Sequence, residues 1–334
     1  MSDMTVIGAG SWGTALALHA ARRGDRVRLW FHDPRLEARV RSSRINMRYL
    51  PGHRLPRRIQ TTSSLSEALP GASCVLLVVP SHHLRQVVRQ CKPWLERSVP
   101  LVVATKGVEN RTLLRMSQVV AAETGFPATR IASLSGPSFA REVAQCHPTA
   151  VVVGARSTEL ARRLQDQLSH GSFRVYRNSD QVGVELGGAL KNVVALAAGI
   201  LEGLGCGSNA GAALLTRGLH EITRLAVKLG ARRNTLAGLA GMGDLVLTCT
   251  GGLSRNRQVG VALGRGRRLQ QILAPMKMVA EGVRTSRYAY ALARREGVDM
   301  PIVEQVHAVL FRRRSPKRAI QSLLERELKS ETRL

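Results

Sequence analysis

Several short stretches of this chain hold residues whose types and spacing could do chemistry. In "LGGALKNVVALAAGI", residues 186–200, Lys191 is the only charged side chain. A lysine is rarely buried without a partner or a purpose. On a helix, its face is shared by Val184, Gly187, Gly188, Val194, Ala195 and Ala198, nearly all of them small. Glycines 187, 188 and 199 each cost a helix about 1 kcal/mol relative to alanine. Something must fill the room they leave: a closely packed neighbour, or a ligand with Lys191 pointing at it. In the second case burial depresses the lysine pKa and readies the group for proton transfer to or from an oxygen. Lys191→Ala should then lower the rate and largely spare the fold.

"GAGSWG", residues 8–13, follows an apolar strand pattern and opens a helical one. In that context Gly8 makes a tight turn, Gly10 lets backbone approach a pyrophosphate, and Gly13 lets the helix pack on the sheet. Free N–H groups at the helix start then face the phosphates. The second strand ends in "LWFHDP", with Asp33 the first acid and Arg28 and Arg35 flanking it. An acid near this point can hold a ribose 2′-OH, whereas nearby arginines suit a 2′-phosphate. NADH and NADPH both remain open, with a lean toward dual use or NADPH.

"ATKGVE" places Lys106 directly after an apolar strand, at the carboxyl end of the sheet. "LSGPSFA" ends another strand in Gly136, Pro137 and Ser138, a turn with exposed donors. "AGMGDLVLTCTGGLSRNR" sets Asp244 in a glycine-rich turn, followed by Ser254, Arg255 and Asn256. That last trio reads as an anion grip at a helix start, Arg being able to bind phosphate bidentately. Turn chemistry and helix capping explain the same Ser, Asn and Gly residues equally well. Taken with a dinucleotide loop, the stretches suit a small phosphorylated substrate.

The elements that must position these residues fall into two regimes. Apolar runs at 4–7, 27–30, 75–79, 101–105, 131–134 and 150–153 read as strands covered on both faces, hence parallel. Helical segments such as 14–23 and 82–89 lie between them, which indicates a doubly wound α/β domain. Beyond about residue 180 helical periodicity dominates. A boundary is therefore expected near residues 178–182, with a doubly wound α/β domain over 1–180 that carries the dinucleotide loop and a mostly helical domain over 181–334.

The chain has 334 residues, with 50 Lys and Arg against 23 Asp and Glu, a net charge of +27. The basic residues are spread along the chain and aromatics make up only 4%, so base-stacking groups are scarce and no nucleic acid partner is expected. The five scattered cysteines form no CxxC pair, which suggests reduced thiols and a cytoplasmic protein. No charge-free apolar stretch reaches about 18 residues, so no integral membrane association is expected. No metal site is expected either.

In order and spacing across nearly the whole chain, "GAGSWG", "ATKGVE", "SGPSFA", "ELGGALKNVVALAAGI", "NAGAALLTRG" and "AGMGDLVLTCTGGLSRNR" resemble the bacterial NAD(P)-dependent glycerol-3-phosphate dehydrogenases. The resemblance implies reversible reduction of dihydroxyacetone phosphate to sn-glycerol 3-phosphate by NADH or NADPH, feeding glycerophospholipid biosynthesis. It also implies that 1–180 is a dinucleotide-binding Rossmann domain and 181–334 an all-α substrate-binding and catalytic domain, with the site between them, and a homodimer. Carried over, Lys191 is the catalytic lysine that protonates the C2 oxygen, with Lys106 and Asp244 completing the polar surroundings of C2. Gly136, Ser138, Ser254, Arg255 and Asn256 match substrate-binding positions. Ser11, Trp12, His32, Lys106, Ala140, Arg255, Val279 and Glu281 match cofactor-contacting ones. "KMVAEGVRT" departs mildly, with Ala280 where a branched residue is common.

Two other readings compete. A 3-hydroxyacid or 6-phosphogluconate type of dehydrogenase also joins a Rossmann domain to a helical one and uses a lysine, but it lacks the Asp244–Asn256 pattern. A non-catalytic basic protein would bind anionic surfaces in a salt-sensitive way without turnover.

Overall fold

A computed structural model describes residues 3–276, 280–328 and 330–331. The chain divides into two compact units, Met1–Glu109 with Leu114–Glu185, and Asn110–Leu113 with Leu186–Leu334.

The first unit is built on eight strands: β1 (Asp3–Ile7), β2 (Arg26–Trp30), β3 (Ile59–Thr62), β4 (Cys74–Leu77), β5 (Leu101–Val103), β6 (Ile131–Ser135), β7 (Thr149–Ala155) and β8 (Phe173–Asn178). They form one sheet in the order β3-β2-β1-β4-β5-β6-β7-β8. Its helices are α1 (Ser11–Arg23), α2 (Pro34–Ser43), α3 (Leu65–Ala68), α4 (Ser81–Cys91), α5 (Met116–Thr124), α6 (Ala140–Ala144) and α7 (Thr158–Leu168). The strands are apolar on both faces because both faces are covered. Met4 and Val6 join one apolar cluster with α1 and α7, while Ile7, Val75 and Leu77 join another with α4 and α5. The doubly wound α/β expectation holds.

Three details differ from the reading of the sequence. β7 pairs with β6 antiparallel, although every other pairing is parallel. The intervening α6 has only five residues, about 7.5 Å of helix, too short to carry the chain back along a strand before the next begins. β3 ("IQTT") and β8 ("FRVYRN") were not expected as strands. Both lie at sheet edges, where one exposed side allows polar residues in place of an unbroken apolar run.

The second unit is helical. α8 (Gln181–Gly203) leads into α9 (Ser208–Lys228), α10 (Arg233–Leu236), α11 (Asp244–Thr250), α12 (Arg255–Gly264), α13 (Leu269–Leu273), α14 (Glu281–Glu296), α15 (Pro301–Phe311) and α16 (Pro316–Leu324). α8 and α12 approach backbone to backbone. A Cβ on Gly199 would overlap the Arg257 carbonyl, and one on Gly260 would overlap the Leu196 carbonyl. α8 is also longer than the apolar run at its centre. Among the described residues it is the one single helix long and apolar enough to cross a membrane, and 83% of its most apolar window is buried within the protein. All five cysteines are free.

Candidate active site

The glycine turn at the end of β1 takes the shape its sequence demands. Gly8 has φ +115°, and a Cβ there would lie 2.8 Å from the Val78 carbonyl oxygen. A Cβ on Gly13 would overlap the Gly8 carbonyl, so α1 could not pack as closely with any other residue. In front of Gly10, by contrast, the space is open to 4 Å. Gly10 begins α1 and no side chain caps it. An uncapped helix start beside open space suits a pyrophosphate, so the turn fits a dinucleotide.

The remaining first-unit candidates lie at several places on the same sheet. Ser11 Oγ donates to the Tyr49 carbonyl at 2.6 Å, and Trp12 packs partly buried on the apolar cluster. His32 is exposed just past β2, its ring 5.9 Å from that of Trp30. Lys106, following β5, donates from Nζ to the Gly136 carbonyl at 3.2 Å. The same carbonyl accepts the Ser138 hydroxyl at 3.0 Å, so Lys106, Gly136 and Ser138 form one cluster. Ala140 opens α6 just beyond it. Behind Lys106, Arg85 of α4 grips the Glu109 carboxylate through two bonds of 2.7 Å and braces the loop.

In the second unit Lys191 is buried, and so is Asp244, at 1% exposure. The ammonium pairs with Asp244 Oδ1 and donates to Thr248 Oγ1 at 2.6 Å. Asp244 and Thr248 are four apart on α11 and so share a face. Asp244 is aimed by the π-helical turn Leu239–Gly243 immediately before it. A Cβ on Gly187 would lie 2.6 Å from the Ala240 carbonyl in that turn. The room left by Gly187 and Gly199 is therefore filled by neighbouring backbone rather than by a ligand. They serve close packing, and close packing brings Asp244 onto the lysine. Cys249 is beside this pair, but burial pushes its thiol up to about 12 and keeps it protonated.

Next to Lys191 on α8, Asn192 begins a second network. Its Oδ1 accepts from Asn256 Nδ2 at 2.9 Å, and Asn256 Oδ1 accepts the Gly282 N–H at 2.9 Å. The starts of α12 and α14 are thereby pinned together against α8. Ser254 caps α12 by accepting from the Arg257 N–H at 3.3 Å. Arg255 begins α12 with an exposed side chain, yet the protein around its guanidinium lowers its pKa, partly offset by Glu281 at the start of α14. Val279 lies outside the described residues. Among the described residues no group of three or more His, Cys, Asp or Glu side chains is placed to hold a metal.

Thr248 and Asn192 went unassigned in the sequence. The four-residue step from Asp244 to Thr248 was visible there, and so was the adjacency of Asn192 to Lys191.

The profile of the NAD-dependent glycerol-3-phosphate dehydrogenase N-terminus matches residues 3–161, and that of the C-terminus matches residues 180–321. The chain is 52% identical to glycerol-3-phosphate dehydrogenase [NAD(P)+] of Citrifermentans bemidjiense, over 98% of each chain. It is 49% identical to the enzyme of the same name from Geobacillus kaustophilus, over 99% of this chain and 96% of that one. The crystal structure of glycerol-3-phosphate dehydrogenase from Coxiella burnetii superposes with a TM-score of 0.93 at 41% identity, covering 97% of this chain and 99% of that one. With both halves matched and relatives alike over their full length, the chain belongs to the NAD-dependent glycerol-3-phosphate dehydrogenase family.

Proposed function

We propose that the protein is an NAD(P)-dependent sn-glycerol-3-phosphate dehydrogenase that interconverts dihydroxyacetone phosphate and sn-glycerol 3-phosphate. The observation that carries this is the buried Lys191–Asp244–Thr248 set, in a chain whose relatives bear that name along their whole length. A bound nicotinamide supplies or accepts the hydride at C2. Negative charge then builds on the C2 oxygen, and the Lys191 ammonium stabilises it and delivers the proton. In the oxidative direction Lys191 takes that proton back. Asp244 holds the ammonium in place and keeps the buried charge paired. Thr248 fixes the direction of one N–H while its own hydroxyl donates a hydrogen bond to the Asp244 backbone carbonyl oxygen at 2.6 Å.

Arg255 supplies the cation for the phosphate end of the substrate, with Ser254 and Asn256 building the helix start that presents it. Lys106, Gly136 and Ser138 are assigned to substrate, and Gly8, Gly10, Ser11, Trp12, Gly13, His32, Lys106, Ala140, Arg255, Val279 and Glu281 to cofactor, on the family pattern. A place in glycerophospholipid synthesis, a cytoplasmic location and a homodimer belong to the same reading. The test is loss of absorbance at the nicotinamide band when purified protein receives dihydroxyacetone phosphate with NADH or NADPH. Absence of oxidation with both cofactors would sink the assignment.

A further inference from the structure

At the end of β2 one acid stands where a dinucleotide ribose would lie. Asp33 Oδ1 accepts the backbone N–H groups of Arg35 at 2.9 Å and Leu36 at 3.3 Å, so it caps α2. Its other oxygen, Oδ2, lies 3.9 Å from Arg48 Nη1. The neighbouring acids are committed elsewhere. Glu37 is buried and bound by Arg41 at 3.0 Å and Thr61 at 2.6 Å, and Glu67 accepts the Thr62 hydroxyl at 2.5 Å. Arg28, which flanks this acid in sequence, donates instead to the carbonyls of Glu67 and Pro70.

Arg48 is held in place by the glycine turn itself. Two residues before it, buried Asn46 donates to the Ala9 carbonyl and to Thr14 Oγ1, each at 2.9 Å. One residue after it, the Tyr49 carbonyl accepts from Ser11 at 2.6 Å. The guanidinium stands 5.3 Å from the centre of the Tyr49 ring and its side chain is 43% exposed. In doubly wound sheets the pyrophosphate sits on the glycine turn and the adenosine ribose beside the end of the second strand. The backbone of Arg48 is thus anchored at the first place and its charge lies at the second.

We propose that Arg48 is the residue that admits a 2′-phosphorylated adenine dinucleotide, and that the Asp33–Arg48 pair sets the balance between NADP(H) and NAD(H). Toward NADP(H), Arg48 turns its charge from Asp33 to the 2′-phosphate, where a bidentate guanidinium–phosphate contact is stronger than a long, exposed ion pair. Toward NAD(H), Asp33 Oδ2 accepts from the ribose 2′-OH. The proposal rests on the dehydrogenase reading above and adds to it the residue that selects the cofactor.

Calorimetric titration of NADP+, NAD+, 2′,5′-ADP and 5′-AMP into wild type, Arg48→Ala and Asp33→Asn tests it without turnover. Arg48→Ala should weaken NADP+ and 2′,5′-ADP by roughly tenfold to a hundredfold, and change NAD+ and 5′-AMP by no more than about twofold. Asp33→Asn keeps a good helix cap and should shift the NADP+ to NAD+ affinity ratio several-fold toward NADP+. Unchanged NADP+ affinity in Arg48→Ala overturns the proposal, as does equal weakening of both dinucleotides, which marks a packing role. Either result leaves the dehydrogenase reading intact if wild type still oxidises NADH or NADPH. Wild type that binds neither dinucleotide overturns both.

Discussion

At the scale of single residues, Lys191 and Asp244 form a buried ion pair, and the catalytic role proposed for the lysine can be separated experimentally from its structural one. With Asp244 only 1% exposed, Lys191→Ala leaves a buried carboxylate without its cation. Breaking such a pair costs about 3–5 kcal/mol, so this variant is expected to melt well below wild type as well as to lose activity. The expectation that it would spare the fold took no account of Asp244. The double variant Lys191→Met with Asp244→Asn removes both charges, so it should recover most of the melting temperature. Its kcat should stay lower by roughly a hundredfold to ten-thousandfold, the usual worth of a positioned acid–base group. Activity returning together with stability would take Lys191 out of the proton transfer.

At the scale of elements, helix starts do much of the positioning, and one is capped from inside the core. Glu221 of α9 accepts the backbone N–H groups of Ile302 at 2.8 Å and Val303 at 3.3 Å, in the first turn of α15. Burial raises its pKa from 4.5 to about 7, against the lowering effect of those two bonds and of Arg224, while Asp299 adds to the rise. Between these two values the folded protein holds a proton that the unfolded chain releases. The stabilisation is therefore complete below about pH 4.5 and fades as pH rises through 7, by on the order of 3 kcal/mol at most. Melting temperatures of wild type should fall more steeply than those of Glu221→Gln from pH 5 to 8. Parallel slopes would show that Glu221 does not titrate in that range.

Over the whole molecule, basic residues outnumber acids by 27. Several arginines have structural duties. Arg85 braces the Lys106 loop, and half-buried Arg115 pairs with Glu185 and donates to Ser117 Oγ at 3.1 Å. Most of the excess has no acid to meet, and its field attracts anions over tens of ångströms at low salt. For a dianionic substrate, kcat/KM should drop several-fold between about 10 mM and 300 mM salt, with kcat little changed. Stopped-flow or steady-state rates across that range measure it. A flat profile would confine the charge effect to residues that touch the ligand.

Much of this was legible in the primary structure. Unbroken apolar runs such as "VLLVV" and "AVVV" dictate buried strands, because only a sheet covered on both faces can use them. The glycines at 8, 10 and 13 and the lone charge at 191 mark their places by residue type. The edge strands β3 and β8 were less visible, since an edge tolerates polar residues that mimic a loop. The antiparallel turn into β7 depended on the shortness of α6. Only the tertiary structure decided what the small residues of α8 are for and what the lysine meets. Those answers come from chain segments about fifty residues away, at Ala240, Asp244 and Thr248, which no local spacing reports. It likewise decided that Arg48, fifteen residues beyond Asp33, is the arginine beside it, because Asn46 and Tyr49 bind that segment to the glycine turn.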